Sequence, residues 1–326
     1  MKTYQPEPTR HPNLFRIVDR DGDWKHYAYV KNPPAPENLS WETIQGAVFL
    51  RGITSILDRS YPKGRGFEEF LLKVNAEERD RILSGAGERG DIVHRIINTL
   101  LSGDGKVAFN KSTAVYSREN KTERVLTNDE WGCLLSFAAF WEKHKPILYA
   151  SELPCFSLMH GIAGTADLVM ELGKECEDKK CVCHNELVKG LIGVWDIKTS
   201  SGIRDSYECQ EAAYAACQNV RDHIPSDRLV RYIGTLRIGT LHKNGGYEAK
   251  ISGLSEPWAR FLATKAIDDR NYKPFDPQVE VVEIPDDVML EVVRHVDKPV
   301  EKVDKLEKPK KSRVRAIKKK KQDAKT

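Results

Sequence analysis

The sequence predicts an α/β domain built on a central mixed β-sheet flanked by helices, and three observations carry that prediction. Two short β-branched and apolar runs, Ala163 to Leu172 and Gly190 to Thr199, are followed by a helical stretch from Arg204 to Val220. Two more strands, Leu229 to Gly239 and Tyr247 to Leu254, are joined through the hairpin signal Lys243-Asn244-Gly245-Gly246. Upstream, Glu77 to Leu101 brings Ile92, Val93, Ile96, Ile97, Leu100 and Leu101 together at helical spacing. Strands interleaved with helices in this order give a layered α/β fold.

The remaining elements fit around that frame. Leu14 to Val30 reads as a hairpin turning at Asp19-Arg20-Asp21-Gly22-Asp23, followed by a proline-rich connector, Pro33-Pro34-Ala35-Pro36. The acidic run is similar to the start of a calcium loop, but the closing glutamate is missing and no helix pair flanks it, so it is read as a turn. Ser40 to Leu57 and Phe67 to Val74 supply entry elements with aromatic residues. Thr127-Asn128-Asp129-Glu130 is a capping box opening a helix whose Trp131, Leu134, Leu135, Ala138 and Trp141 form an apolar stripe, read as core. A helix from Glu256 to Asp269 closes the domain. Residues 1–40 are expected as a hairpin and connector, 41–275 as the main domain with an insert at 173–189, and 276–326 as a C-terminal extension.

Composition bounds the chemistry. At 326 residues and 40% hydrophobic content the chain can bury a sizeable core. Met1-Lys2-Thr3-Tyr4-Gln5-Pro6 carries no apolar signal region, and no run approaches the roughly 18 apolar residues of a membrane span. The expectation is a soluble, cytoplasmic, non-secreted protein of a prokaryote or a phage-infected cell, with no membrane partner. Seven cysteines, an odd count, argue for reduced thiols. Three of them, Cys176, Cys181 and Cys183, followed by His184, lie in the polar insert 173–189. These are donors for a structural Zn²⁺, although C-x4-C-x-C-H is not a standard knuckle spacing; a catalytic zinc site is a further reading.

Charge is uneven. From Lys298 to Thr326 there are 13 Lys or Arg against 4 Asp or Glu, net +9, so the rest of the +4 chain carries −5. That tail has too few apolar residues to fold alone and is expected to be disordered. It fits either a strand that tracks a DNA backbone by counterion release or a solvated tail.

The residues that carry chemistry are Asp167, Asp196 and Lys198. Side chains alternate along a strand, so Asp196 and Lys198 face one side while Trp195 and Ile197 face the other. Two carboxylates and a lysine are the minimum set for metal-assisted cleavage of a phosphodiester: the acids anchor a hard divalent cation, and the lysine holds or activates water and offsets phosphate charge. A bare Asp-x-Lys also fits a surface hairpin with a salt bridge. Gln210 and Tyr214, four residues apart, share a helix face, either looking back at the strand ends or forming a plain polar stripe. His94 reads from spacing alone as a core histidine. Glu152, ending Ile147 to Glu152, fits both site lining and strand-end solvation.

Taken in order, Gly164-x-x-Asp167, then Asp196-x-Lys198-Thr199-Ser200, then Gln210-x-x-x-Tyr214 resembles the PD-(D/E)XK nuclease superfamily, in its RecB-like and phage-type exonuclease branch. Arg89-Gly90-Asp91-Ile92-Val93-His94 is similar to that branch's Arg-Gly-x-x-Val-His helix, and Arg51-Gly52-Ile53-Thr54-Ser55-Ile56-Leu57 to its opening segment. Residue 166 is Ala where the superfamily name implies Pro. The resemblance spans roughly Arg51 to Asn219 and implies a restriction-endonuclease-like core hydrolysing DNA. It implies His94, Asp167, Asp196 and the Ile197 carbonyl as Mg²⁺ or Mn²⁺ ligands, Lys198 as the water-activating group, and Gln210 and Tyr214 in supporting roles. Nothing after Cys217 is cysteine, which argues against the iron–sulfur cluster of some relatives. The implied activity is exonucleolytic, in recombination, repair or phage genome processing, on single- or double-stranded DNA without sequence preference, with a recombination or single-strand-binding protein as partner. The rival expectation is a DNA-binding scaffold that does not cut.

Overall fold

The computed structural model describes residues 5–18, 24–44, 46–102, 110–117, 121–173, 179, 181–239 and 246–272. The basic tail, Cys176 and the turns at 19–23 and 240–245 lie outside the described residues. In chain order the strands are β1 (Gln5–Pro8), β2 (Leu14–Val18), β3 (Trp24–Tyr29), β4 (Val48–Gly52), β5 (Ala114–Ser117), β6 (Thr122–Val125) and β7 (Ile147–Ser157). They continue with β8 (Ile162–Glu171), β9 (Ile192–Lys198), β10 (Val230–Ile238) and β11 (Tyr247–Gly253). The helices are α1 (Ile53–Ser60), α2 (Arg65–Lys73), α3 (Ala76–Ser102), α4 (Asn128–His144), α5 (Asp205–Ala215) and α6 (Ser255–Asn271).

Nine strands form one mixed sheet, in the order β1-β2-β3-β4-β8-β9-β10-β11, with β7 paired to the remaining edge of β8. β4 with β8 and β9 with β10 run parallel; the other pairs are antiparallel. The N-terminal strands, expected as a separate module, hydrogen-bond into this sheet through β3 and β4. β5 and β6 make a small hairpin of their own that the sequence reading did not foresee.

Helices cover both faces. Ile92, Val93, Ile96 and Ile97 of α3 and Leu134, Phe137 and Phe140 of α4 pack with Leu168, Met170, Trp195, Ile197, Tyr232 and Leu236. On the opposite face Ile53, Ile56 and Leu57 of α1, Cys209, Ala213 and Tyr214 of α5 and Phe261 of α6 pack with Val169, Ile192 and Val194. The alternation along β9 is therefore visible: Trp195 and Ile197 go to the α3/α4 layer and Val194 to the other. Two expectations need correction. The helical stretch expected to Val220 stops at Ala215 and gives way to a 3₁₀ turn, Gln218–His223. In α4 the buried side is Cys133, Leu134, Phe137, Phe140 and His144, while Leu135 and Ala138 are exposed and Trp131 and Trp141 sit at the rim. A helix drawn through its tryptophans misses the stripe, because large amphipathic rings commonly border a core rather than fill it.

The capping box is formed: the Thr127 hydroxyl accepts from Glu130 N–H at 3.2 Å, and Glu130 Oε2 accepts from Thr127 N–H at 2.7 Å. Across the other layer a largely buried charge cluster ties α6 to β4 and α1. Asp268 of α6 accepts from Arg51 of β4 at 2.6 Å, from both Nε and Nη2 of Arg59 at 2.9 Å, and from the Ser60 hydroxyl at 3.0 Å. Burial works against the Asp268 charge, but these donors outweigh it and hold the carboxyl below its usual range. Removing Asp268 takes a shared acceptor from Arg51 and Arg59, while Asp269 still pairs with Arg51, so Asp268→Ala should lower unfolding stability by about 1.5–3 kcal/mol in urea titrations. A carboxyl whose folded pKa is depressed contributes stability above its unfolded pKa and loses it as pH falls through the folded value. The loss of stability on acidification should therefore be shallower in Asp268→Asn than in the parent, and equal slopes would refute the assignment.

Candidate metal centre and active site

The site forms where two strands part. β8 and β9 pair from Glu171↔Ile192 to Leu168↔Trp195, and there the ladder ends. Instead of a backbone partner, the Ile197 N–H donates to Asp167 Oδ2 at 2.7 Å. A side chain thus satisfies a buried backbone donor while strand geometry opens a gap beside both aspartates.

His94 reaches this gap from α3. Its Nε2 donates to the Ile197 carbonyl at 3.0 Å, and its Nδ1 lies 3.5 Å from Asp167 Oδ1 and 3.6 Å from Glu152 Oε1. Ligating atoms of His94, Glu152 and Asp167 all fall within 4.8 Å of one another. Glu152 stands in β7 between Ser151↔Leu168 and Leu153↔Ala166, at a break in pairing opposite Asp167, with φ of 47°. That left-handed conformation costs a non-glycine residue about 1–2 kcal/mol, and such strain concentrates where a side chain must be aimed. Arg89, four residues before the helix turn that carries Val93, donates to the Thr199 carbonyl at 3.1 Å and fastens α3 to the end of β9.

The second half of the site comes from α5. Lys198 Nζ pairs with Asp196 Oδ2, lies 3.4 Å from Gln210 Oε1 and sits 4.7 Å over the Tyr207 ring. The Asp196–Lys198 contact is close yet poorly aligned, since Oδ2 has no hydrogen bond of good geometry. Gln210 Nε2 donates to Asp196 Oδ1 at 3.1 Å and to the Tyr214 hydroxyl at 2.9 Å. Tyr207, Gln210 and Tyr214 recur at i, i+3 and i+7, one face of α5. The sequence carried that signal for Tyr207, which the motif reading passed over. Glu211 is also present: fully buried, it accepts from Thr235 of β10, the residue paired with Asp196 in the sheet.

Electrostatics sorts these groups. Burial disfavours a charged Asp167, but His94, Lys198 and the Ile197 N–H outweigh it and keep its carboxyl below the usual range. Burial pushes Asp196 up to about 7; the Asp167 charge adds to the rise and Lys198 opposes it. Glu211 is raised well above the carboxylate range by burial and then by Asp196. Burial likewise works against a charged His94, yet Asp167 and Glu152 overcome it and hold the imidazole well above its ordinary value. The ring thus sits between the two acids, its Nε2 donating to the Ile197 carbonyl and its Nδ1 turned toward Asp167 and Glu152.

Of the residues read from the sequence, His94, Asp167, Asp196, Ile197, Lys198, Gln210 and Tyr214 occupy one connected network, and Glu152 joins it from β7. The cysteine group is elsewhere. Cys181 and Cys183 converge on His144 of α4, while His184, on the 3₁₀ turn Val182–His184, is outside that grouping. Among the described residues no helix is long and apolar enough to cross a membrane.

Gly164 of β8 lies against α5, and a Cβ there would come within 2.5 Å of Tyr214 Cε1. Gly164→Ala should therefore cost about 1–3 kcal/mol of stability by overpacking. In a double-mutant cycle Tyr214→Ala should cost less in the Gly164→Ala background than in the parent, by about 0.5–3 kcal/mol. Strict additivity in urea unfolding would show that the ring does not rest on this glycine.

No protein-family model matches the chain, and neither does any curated protein. Among solved structures, an alkaline exonuclease from Laribacter hongkongensis is similar at 10% identity, over 48% of this chain and 75% of that one, with a TM-score of 0.28.

Proposed function

We propose that this chain is a divalent-metal-dependent DNA nuclease of the PD-(D/E)XK type, acting as an exonuclease, with residues 41–275 as its nuclease domain. The observation that carries the reading is the convergence of His94, Glu152 and Asp167 within 4.8 Å, next to the Asp196–Lys198 pair. The donor set fits the cation: two carboxylates and one imidazole are hard or borderline ligands suited to Mn²⁺ and to Mg²⁺. His94 Nδ1, Glu152 and Asp167 would hold it, with Asp196 and the Ile197 carbonyl beside them. The His94 Nε2–H bond to that carbonyl fixes the ring, as outer-shell acceptors do for metal-bound imidazoles. Binding would release the Nδ1 proton. When bound, such a cation polarises a phosphoryl oxygen and lowers the pKa of its water.

The chain's own groups supply the rest. Lys198, clamped by Asp196, Gln210 and the Tyr207 ring, carries the ammonium that orients an attacking water and offsets negative charge on the phosphate. Asp196, pushed up to about 7, can take or give a proton near neutrality. Gln210 and Tyr214 support the site: Gln210 bonds Asp196 and Tyr214 and lies beside Lys198, so the pair positions Lys198, the water or the DNA phosphate. Recombination, repair or phage genome processing in the cytoplasm, alongside a recombination or single-strand-binding protein, is the setting this activity fits.

Asp167→Ala, Asp196→Ala and Lys198→Ala should each lower the rate of end-labelled DNA digestion with Mg²⁺ or Mn²⁺ by at least about 100-fold. Glu152→Gln should weaken Mn²⁺ binding in calorimetric titrations by about tenfold or more, some 1.4 kcal/mol. Linear DNA should disappear while closed circles persist; parental rates in the three alanine variants would end the proposal. The segment from Lys298 to Thr326 adds sequence-independent affinity for the DNA backbone. Its deletion should flatten the dependence of log affinity on log salt, and an unchanged slope would leave the tail no part in binding.

A further inference from the structure

His144, Cys181 and Cys183 form a second centre, remote in chemistry from the acidic one. His144 is the last residue of α4 and is fully buried. Its Nε2 lies 3.6 Å from Cys181 Sγ and 3.2 Å from the Tyr247 hydroxyl, and Cys183 completes a set of ligating atoms within 4.8 Å of one another. We propose that these three residues bind a zinc-class metal ion that fastens the insert 173–189 to the end of α4.

Geometry is the first support. Zinc–sulfur and zinc–nitrogen bonds of roughly 2.3 and 2.05 Å at a tetrahedral angle put the two donor atoms about 3.6 Å apart. The His144–Cys181 separation is that edge. The second support is the way the insert is rooted. The Gly173 N–H donates to the carbonyl of His144 itself at 3.1 Å, and a Cβ at 173 would collide with the Lys145 carbonyl. The insert thus leaves β8 pinned to the helix end, and the 3₁₀ turn Val182–His184 returns Cys183 to the buried cluster around Phe140 and Tyr247. Two thiolates and an imidazole select a borderline-soft ion over Mg²⁺. The expected His184 lies outside this grouping; the ring beside Cys181 is that of His144, 37 residues upstream.

Metal analysis of the full chain tests this without reference to activity. The parent should retain about one zinc per chain after dialysis, and Cys181→Ser with Cys183→Ser, or His144→Ala, should release it. Titration of Co²⁺ into the metal-depleted parent should raise a thiolate charge-transfer absorption that excess Mg²⁺ does not suppress and that the double serine variant lacks. His184→Ala and Asp167→Ala should keep both signals. The proposal is overturned if the parent holds no zinc and shows no charge-transfer band. It is equally overturned if His144→Ala keeps the metal while Cys176→Ser and His184→Ala lose it, which would assign the ion to the insert alone.

Discussion

The bond from the Ile197 N–H to the Asp167 carboxylate is the constraint on which the rest depends. It sits one step beyond the last backbone pair of β8 and β9, where continued pairing would have consumed the donor and closed the gap. Because the side chain replaces the ladder, the Ile197 N–H stays satisfied where the strands part, and buried acids share the opening. His94 enters the same opening by bonding the carbonyl of the same residue, so the Ile197 peptide unit organises both sides of the site.

Charge explains how so many acids coexist. Asp167, Asp196, Glu152 and Glu211 face two positive groups, His94 and Lys198. Like charges at short range cannot all ionise, and the sheet resolves the conflict by rank: Asp167 stays charged, Asp196 is pushed up to about 7, and Glu211 is raised well above its range.

The layers around the sheet hold this arrangement from both sides. α3 delivers His94 and, through Arg89, ties itself to the end of β9; α5 delivers Tyr207, Gln210 and Tyr214. The Tyr214 ring lies directly on Gly164, where the absence of a side chain makes room for it. The Arg51–Asp268 cluster binds the first strand-to-helix junction to α6. The contacts of Arg89, His94 and Arg51 each join residues more than 100 positions apart in sequence.

The sequence by itself determined the periodicities: the strands around Asp167 and Asp196, the helix bearing His94, the capping box at Thr127 and the shared side of Asp196 and Lys198. These follow from side-chain alternation and hydrogen-bonding chemistry within a few residues. It also carried the order of motifs that singled out His94, Asp167, Asp196, Lys198, Gln210 and Tyr214. Tertiary structure alone decided that Glu152, in a left-handed conformation at a break in β7, turns toward His94, and that Glu211 lies beneath Asp196. It also decided that His144 rather than His184 meets Cys181 and Cys183, and that α4 buries Phe140 while exposing Leu135. The physical reason is the same in each case: burial and convergence depend on which elements pack against one another, and local pattern carries no record of contacts made between separate elements.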